Sequence, residues 1–139
     1  MERRSFFTRL GIGALATFTS MPLMSINRKK LESDSLSPLK KAEIQHTVIF
    51  DLNHEKGSAL ADKFLSDGQQ ILGNIPGVQN FQAFNQVSLK NHYGYGFSMV
   101  FANQLAYYAY NKHPDHVAFV TNRWKKEVTQ FLEIDFKAR

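Results

Sequence analysis

A period of two runs from Ile44 to Leu52, placing Ile44, His46, Val48, Phe50 and Leu52 on one face and Gln45, Thr47, Ile49 and Asp51 on the other. That alternation predicts a strand. From about Ser58 to Leu72 the period lengthens: Leu60, Phe64, Leu65, Ile71 and Leu72 recur at helical spacing, with Ser58 placed to cap the start and Gly68 a soft point inside. Ile75-Pro76-Gly77-Val78 reads as a turn, because proline fixes its own φ and glycine accepts a positive one. Two further strands follow, at about Val78 to Val87 and Gly94 to Ala102, joined by Ser88 to Tyr93; in the second, Tyr95, Phe97, Met99 and Phe101 share a face. Asn103 is placed to cap a helix through about Lys112, and Pro114 opens another to about Val128 that carries Val117, Phe119, Val120 and Trp124. Phe131 to Phe136 alternates again, with Leu132, Ile134 and Phe136 on one side.

Strand, helix, two strands, one or two helices and a strand is the order of a ferredoxin-like α+β sandwich built on a split βαβ unit. Helices cover one face of such a sheet. The other face carries apolar and aromatic residues, which predicts a homodimer in which two sheets close on each other as a dimeric α/β barrel.

Ahead of the periodic part lies a segment of another kind. Arg3, Arg4 and Arg9 precede an uncharged run from Leu10 to Asn27, which Arg28-Lys29-Lys30 closes. The run is rich in Gly, Ala, Ser and Thr, which suits a signal sequence better than a stop-transfer helix. Glu2-Arg3-Arg4-Ser5-Phe6-Phe7-Thr8 resembles a twin-arginine export signal, although the flanking positions depart from the common pattern. General secretion and an uncleaved membrane anchor are the other readings, and Leu23-Met24-Ser25 offers a small-residue ending for cleavage. The predicted organisation is an export signal over residues 1–26, a flexible linker over 27–43 and one domain over 44–139. Export machinery is then a partner through Arg3 and Arg4, and the expected location is periplasmic or otherwise exported.

Charge sharpens this division. The chain has 139 residues and a net charge of +5, which by itself would suit a nucleic-acid binder. Eight of the 17 bases and four of the 12 acids fall in residues 1–43, so +4 belongs to the leading segment and +1 to the domain. A nearly neutral domain excludes the strong positive field that nucleic acid requires. There is no cysteine, so disulfides, thiolate metal sites and thiol nucleophiles are excluded.

Ile44-Gln45-His46-Thr47-Val48-Ile49-Phe50, Ile75-Pro76-Gly77-Val78, and Tyr110-Asn111-Lys112-His113-Pro114-Asp115-His116-Val117-Ala118-Phe119 together resemble the stress-responsive A/B barrel (Dabb) family over about Ile44 to Phe136. The resemblance implies a dimeric α+β barrel with a cavity between each sheet and its helices. One plant branch of the family contains a polyketide cyclase that works without a cofactor. Its general-base histidine follows a Gly-Tyr-x element in the third strand, whereas here Gly94-Tyr95-Gly96 leads to Phe97; its first-helix tyrosine aligns with Gly68. Its first-strand histidine, helical tyrosine and second histidine of His-Pro-x-His are matched by His46, Tyr110 and His116. The resemblance therefore implies a cavity that keeps part of this polar lining while the cyclase chemistry is lost.

Taken singly, these residues leave two readings open. His46, on an apolar strand face, is either a core histidine satisfied by a neighbour or a pocket residue that binds or moves a proton. His113 and His116 have the spacing to share a helix face, as metal sites require, and His46 has the freedom to approach them. The other reading has His113 capping the helix, Pro114 starting it and Asp115 favouring its positive end; with no third ligand in sequence, no metal site and no cofactor are predicted. His54 and His92 read as loop residues without a role, and Arg123, Lys125 and Lys126 as the solvated face of the last helix. No phosphate loop, nucleophile elbow or His-Glu-x-x-His occurs. The expected function is uptake of a small apolar or aromatic molecule in a cavity lined by His46, Phe97, Tyr110 and His116. The alternatives are a cofactor-independent isomerase, lyase or oxygenase with His46, His116 and Tyr110 as its catalytic groups, and an inert dimerisation module held at a membrane.

Overall fold

The computed structural model describes residues 38–139; the proposed signal, with Arg3 and Arg4, and most of the linker lie outside the described residues. Strand β1 (Ile44–Leu52) leads to helix α1 (Ala59–Gly73), then β2 (Gln79–Asn85) and β3 (Tyr95–Phe101). Helices α2 (Gln104–Lys112) and α3 (Pro114–Phe119) follow, and α3 runs into a π-helical turn (Val120–Trp124) and a last helical turn (Lys125–Glu127) before β4 (Val128–Phe136). The sheet is antiparallel in the order β2-β3-β1-β4. This is the ferredoxin-like α+β arrangement, with β1 and β3 at its centre and the helices on one face.

Local chemistry sets the element ends. The Ser58 side chain accepts the Ala61 N–H at the start of α1, and the Asn103 side chain accepts the Ala106 N–H at the start of α2. The Ile75–Val78 turn closes with Val78 N–H donating to the Ile75 carbonyl at 3.1 Å, and Gly77 takes a φ of +90°. His113 ends α2 in extended backbone and accepts the Asp115 N–H, with Pro114 in the first turn of α3.

The alternation of β1 is carried into burial: Ile44, His46, Val48, Phe50 and Leu52 all point to the helices. From β3 they meet Tyr95, Phe97, Met99 and Phe101, and α1 adds Ala61, Phe64 and Leu72. The core is strongly aromatic. The Phe50 ring lies 4.9 Å from both Phe97 and Trp124 and 5.8 Å from Phe64, in tilted and edge-on pairs that such rings prefer. The opposite sheet face is left open, with Ile49, Phe84, Val100, Leu132, Ile134 and Phe136 on it.

One boundary departs from the sequence pattern. The last helical turn ends at Glu127, beside the expected Val128, but β4 begins at Val128 rather than near Phe131. The cause is Asn53, just past β1: its N–H donates to the Glu127 carbonyl at 2.8 Å and its side-chain amide to the Lys126 carbonyl at 3.1 Å. Those two carbonyls at the helix end are thereby tied to the end of β1, and Val128 pairs with Leu52 across a register shift in which Thr129 is the extra residue of β4.

Candidate functional site

Between the helix-facing side of the sheet and the helices lies a cavity of about 340 Å³. Its walls are apolar, from Val48, Leu72, Phe97, Met99, Phe119 and Trp124. A polar group of side chains, His46, Tyr110, Asn111, His116, Lys125 and Glu133, opens onto the same space. The four residues singled out in the sequence, His46, Phe97, Tyr110 and His116, all line it.

His46 is 7 % exposed, a polar side chain in an apolar strand face. Burial without a partner would cost on the order of a few kcal/mol. The partner comes from β4, where Asp135 is paired with His46 across the sheet and its carboxylate lies 2.7 Å from Nδ1. A proton on Nδ1 is therefore held by Asp135. The other ring nitrogen, Nε2, has no protein partner among the described residues, yet no buried side-chain nitrogen or oxygen there lacks one, so Nε2 reaches open space. An imidazole held this way offers its second nitrogen to whatever occupies the cavity.

Tyr107, one turn before Tyr110 on α2, completes this corner. Its hydroxyl lies 3.2 Å from His46 Nδ1, 3.1 Å from Glu133 Oε1 and 3.1 Å from Asp135 Oδ2. Burial first, then the charges of Glu133 and Asp135, hold the Tyr107 hydroxyl far above its ordinary pKa of 10.0. Burial and Glu133 do the same to Tyr110. Both are neutral hydrogen-bond donors at any physiological pH.

His116 lies 4.5 Å from the Tyr110 ring, and its Nδ1 donates to the Asn111 carbonyl at 3.1 Å. Burial pushes its pKa below the ordinary 6.5, and the charges of His46 and His113 act in the same direction against that hydrogen bond and Glu133. At pH 7 it is a neutral imidazole. His113 Nδ1 accepts the Asp115 N–H as the cap of α3, so the Nδ1 atoms of His113 and His116 are both engaged with backbone groups.

The π-helical turn supplies one wall through Val120 and Trp124, and its position is fixed by charge. Arg123 forms ion pairs with Glu127 and Asp67, Lys63 also binds Asp67, and His54 lies 2.7 Å from Glu127. Hydrogen bonds from Lys63 and then Arg123 hold Asp67 below the usual carboxylate range. The basic cluster predicted as a solvated face is therefore divided: Arg123 clamps the turn to α1, and Lys125 lines the cavity. His54, which the sequence alone marks as a loop residue without a role, belongs to the same clamp, while His92 lies 2.9 Å from the Gln130 side chain. The sequence alone assigns no site role to Glu133 and Asp135, and marks Tyr107 only as a core or interface tyrosine. Only the position of Glu133 and Asp135, alternating with Leu132, Ile134 and Phe136, signalled that their side chains face the helices.

The fold recurs in solved structures. A ferredoxin-like Dabb family protein from Mesorhizobium loti is 50 % identical, with a TM-score of 0.69 over 70 % of this chain and 97 % of that one. A dimeric ferredoxin-like protein of unknown function from Thermobifida fusca is 17 % identical, with a TM-score of 0.60 over 73 % and 95 % of the two chains. The cofactor-independent oxygenase SnoaB from Streptomyces nogalater is 13 % identical, with a TM-score of 0.55 over 70 % and 93 %. No curated protein matches the chain significantly. Residues 44–138 match the family model of the stress-responsive A/B barrel domain, and the chain therefore belongs to the Dabb family.

Proposed function

We propose that this chain works as an exported homodimer that takes up a small, largely apolar or aromatic molecule in the cavity between sheet and helices. The observation that carries the reading is the cavity itself: apolar walls with a few convergent polar groups, and a volume at the lower end of ordinary ligand sites. His46 Nε2 and the Tyr110 hydroxyl supply an acceptor and a donor for a single polar group on such a molecule. The homodimer is supported by the open sheet face, where Phe84, Leu132 and Phe136 are 46 %, 47 % and 50 % exposed, and by the dimeric neighbour from Thermobifida fusca. Export rests on Arg3, Arg4 and the uncharged run behind them.

Thermal unfolding against a panel of aromatic and apolar acids tests the binding reading. A ligand present at a hundred times its Kd adds about 2.7 kcal/mol, a shift of several degrees. Val120→Trp, which fills the cavity from the π-helical wall, is expected to abolish that shift. An unresponsive wild-type protein, or a crystal structure with the cavity filled by side chains, overturns the proposal.

The His46–Asp135 pair favours a second reading. With Nδ1–H held by the carboxylate, Nε2 is placed to take a proton from a bound molecule while Tyr110 polarises an oxygen, chemistry that needs no cofactor. The SnoaB oxygenase supports this at the level of fold alone. Once a substrate is found, unchanged turnover after replacing both His46 and His116 by Gln would defeat it.

A further inference from the structure

Strands β1 and β4 bring His46, Glu133 and Asp135 together on the helix-facing side of the sheet, and one ligand atom from each lies within 4.8 Å of the others. The Tyr107 hydroxyl adds a fourth polar atom, which makes four short contacts in all: His46 to Asp135 at 2.7 Å, and Tyr107 to His46, Glu133 and Asp135 at 3.2, 3.1 and 3.1 Å. The hydrogens available do not match that number. Tyr107 has one O–H, Nδ1 carries at most one N–H, and ionised carboxylates carry none. Two hydrogens are thus shared among four contacts. Doubly protonating the imidazole places the extra hydrogen on Nε2, away from the carboxylates. Among the described residues no Lys or Arg lies within ion-pairing distance of Glu133 or Asp135. The one cationic group within reach is His46 itself when protonated, which offers at most one positive charge to two carboxylates.

Its dimensions indicate what would supply it. In an octahedral sphere with bonds of about 2.1 Å, adjacent ligand atoms are about 3.0 Å apart. The four contacts are hydrogen-bond distances of 2.7 to 3.2 Å, and one ligand atom each from His46, Glu133 and Asp135 lies within 4.8 Å of the others, so small side-chain adjustments bring the three to that spacing. His46 and Glu133 also line the cavity, so the open side of the cluster faces space that water or a bound molecule can fill.

We propose that His46 Nδ1 and the carboxylates of Glu133 and Asp135, with the Tyr107 hydroxyl beside them, form a binding site for one divalent transition-metal ion at the edge of the cavity. One imidazole and two carboxylates without a thiolate suit Mn²⁺, Fe²⁺, Co²⁺ or Zn²⁺, and the nitrogen ligand favours these over Mg²⁺ and Ca²⁺. Both carboxylates are solvent-accessible, which gives the ion an entry path. The site is distinct from the His113–His116 pair; an ion on Nδ1 displaces the proton to Nε2, which then donates to, rather than accepts from, a molecule in the cavity.

Full-length protein stripped with a chelator tests the proposal, with Mn²⁺ followed by electron paramagnetic resonance and Zn²⁺ and Mg²⁺ by titration calorimetry. One Mn²⁺ or Zn²⁺ per chain is expected, with Mg²⁺ at least tenfold weaker. Glu133→Gln and Asp135→Asn are each expected to weaken Mn²⁺ and Zn²⁺ at least tenfold, the range over which loss of a metal-site group acts, while His113→Gln leaves them unchanged. Both carboxylates are exposed, so these variants are expected to fold with an unaltered far-ultraviolet circular dichroism spectrum. Absence of Mn²⁺ and Zn²⁺ binding by the wild-type chain at millimolar concentration means that a proton shared by the carboxylates meets the deficit, and overturns the proposal. So does equal affinity in the wild type and both carboxylate variants, or a loss confined to His113→Gln. The thermal panel of acids repeated on stripped protein separates the two readings, since a ligand shift that persists without metal supports the cavity reading alone.

Discussion

At the scale of single residues, burial of a titratable group and close approach at a glycine have measurable consequences. His116 has its pKa pushed below 6.5 by burial, whereas in the unfolded chain it titrates near that value. Above pH 6.5 the two states bind equal numbers of protons at this site; below it the unfolded chain takes up a proton that the folded chain refuses. Stability is therefore lost as pH falls from about 6.5 towards the folded pKa. Urea unfolding at pH 7 and pH 5 is expected to show a smaller loss for His116→Gln than for the wild type; an equal loss would show that burial does not disfavour the imidazolium. Gly68 makes the second case. A Cβ there would stand 2.6 Å from Cζ of Phe97, a ring confined by Phe50, Phe81 and Phe64 and bordering the cavity. Gly68→Ala gains about 1 kcal/mol of helix propensity. Moving a packed ring costs about 1–3 kcal/mol. The variant is expected to have a lower thermal midpoint and to lose ligand-induced shifts, because the ring yields towards the cavity. A raised midpoint would mean that the ring moves freely.

At the scale of elements, the site depends on how α2 and the π-helical turn are held. Asn103 caps α2, which carries Tyr107 and Tyr110. Asn103→Ala is expected to cost about 1 kcal/mol in denaturant unfolding. The π-helical turn is held by Arg123, whose guanidinium meets Asp67 on α1 and Glu127 and lies 5.4 Å from the centre of the Phe64 ring. Arg123→Met keeps the stem and removes the charge, leaving Lys63 on Asp67 and His54 on Glu127. These remaining partners limit the expected cost to about 1–2 kcal/mol. Because the turn forms a cavity wall, ligand affinity is expected to fall as well. Lost stability with unchanged affinity would show that the wall does not depend on the clamp.

At the scale of the whole molecule, the helices cover one sheet face and leave an apolar face that a second copy is proposed to cover. Leu132→Glu places a charge on that face, on the edge strand β4 opposite Ile49, and points away from the cavity, so sedimentation is expected to show a shift from dimer to monomer with the fold retained. A monomeric wild type would end the dimer proposal. Much of this architecture was legible along the chain. The period of two in β1, the caps Ser58 and Asn103, and the Ile75–Val78 turn are local signals, set by side-chain alternation, nearby hydrogen bonds and backbone steric limits, and the elements form where those signals lie. His46, Phe97, Tyr110 and His116 were legible as cavity residues because the family pattern fixes them on particular elements. The start of β4 was not, because it depends on hydrogen bonds from Asn53, more than 70 positions away. Nor was the partner of His46, since only the antiparallel pairing of β1 with β4 sets Asp135 opposite it and Glu133 opposite Val48. The sequence by itself determined the elements, their order and the faces they bury, because those follow from interactions within a few residues. Which charged groups meet at Tyr107, and what cation they can hold, was decided only by strand register and helix placement, because such contacts exist only after distant segments have been brought together.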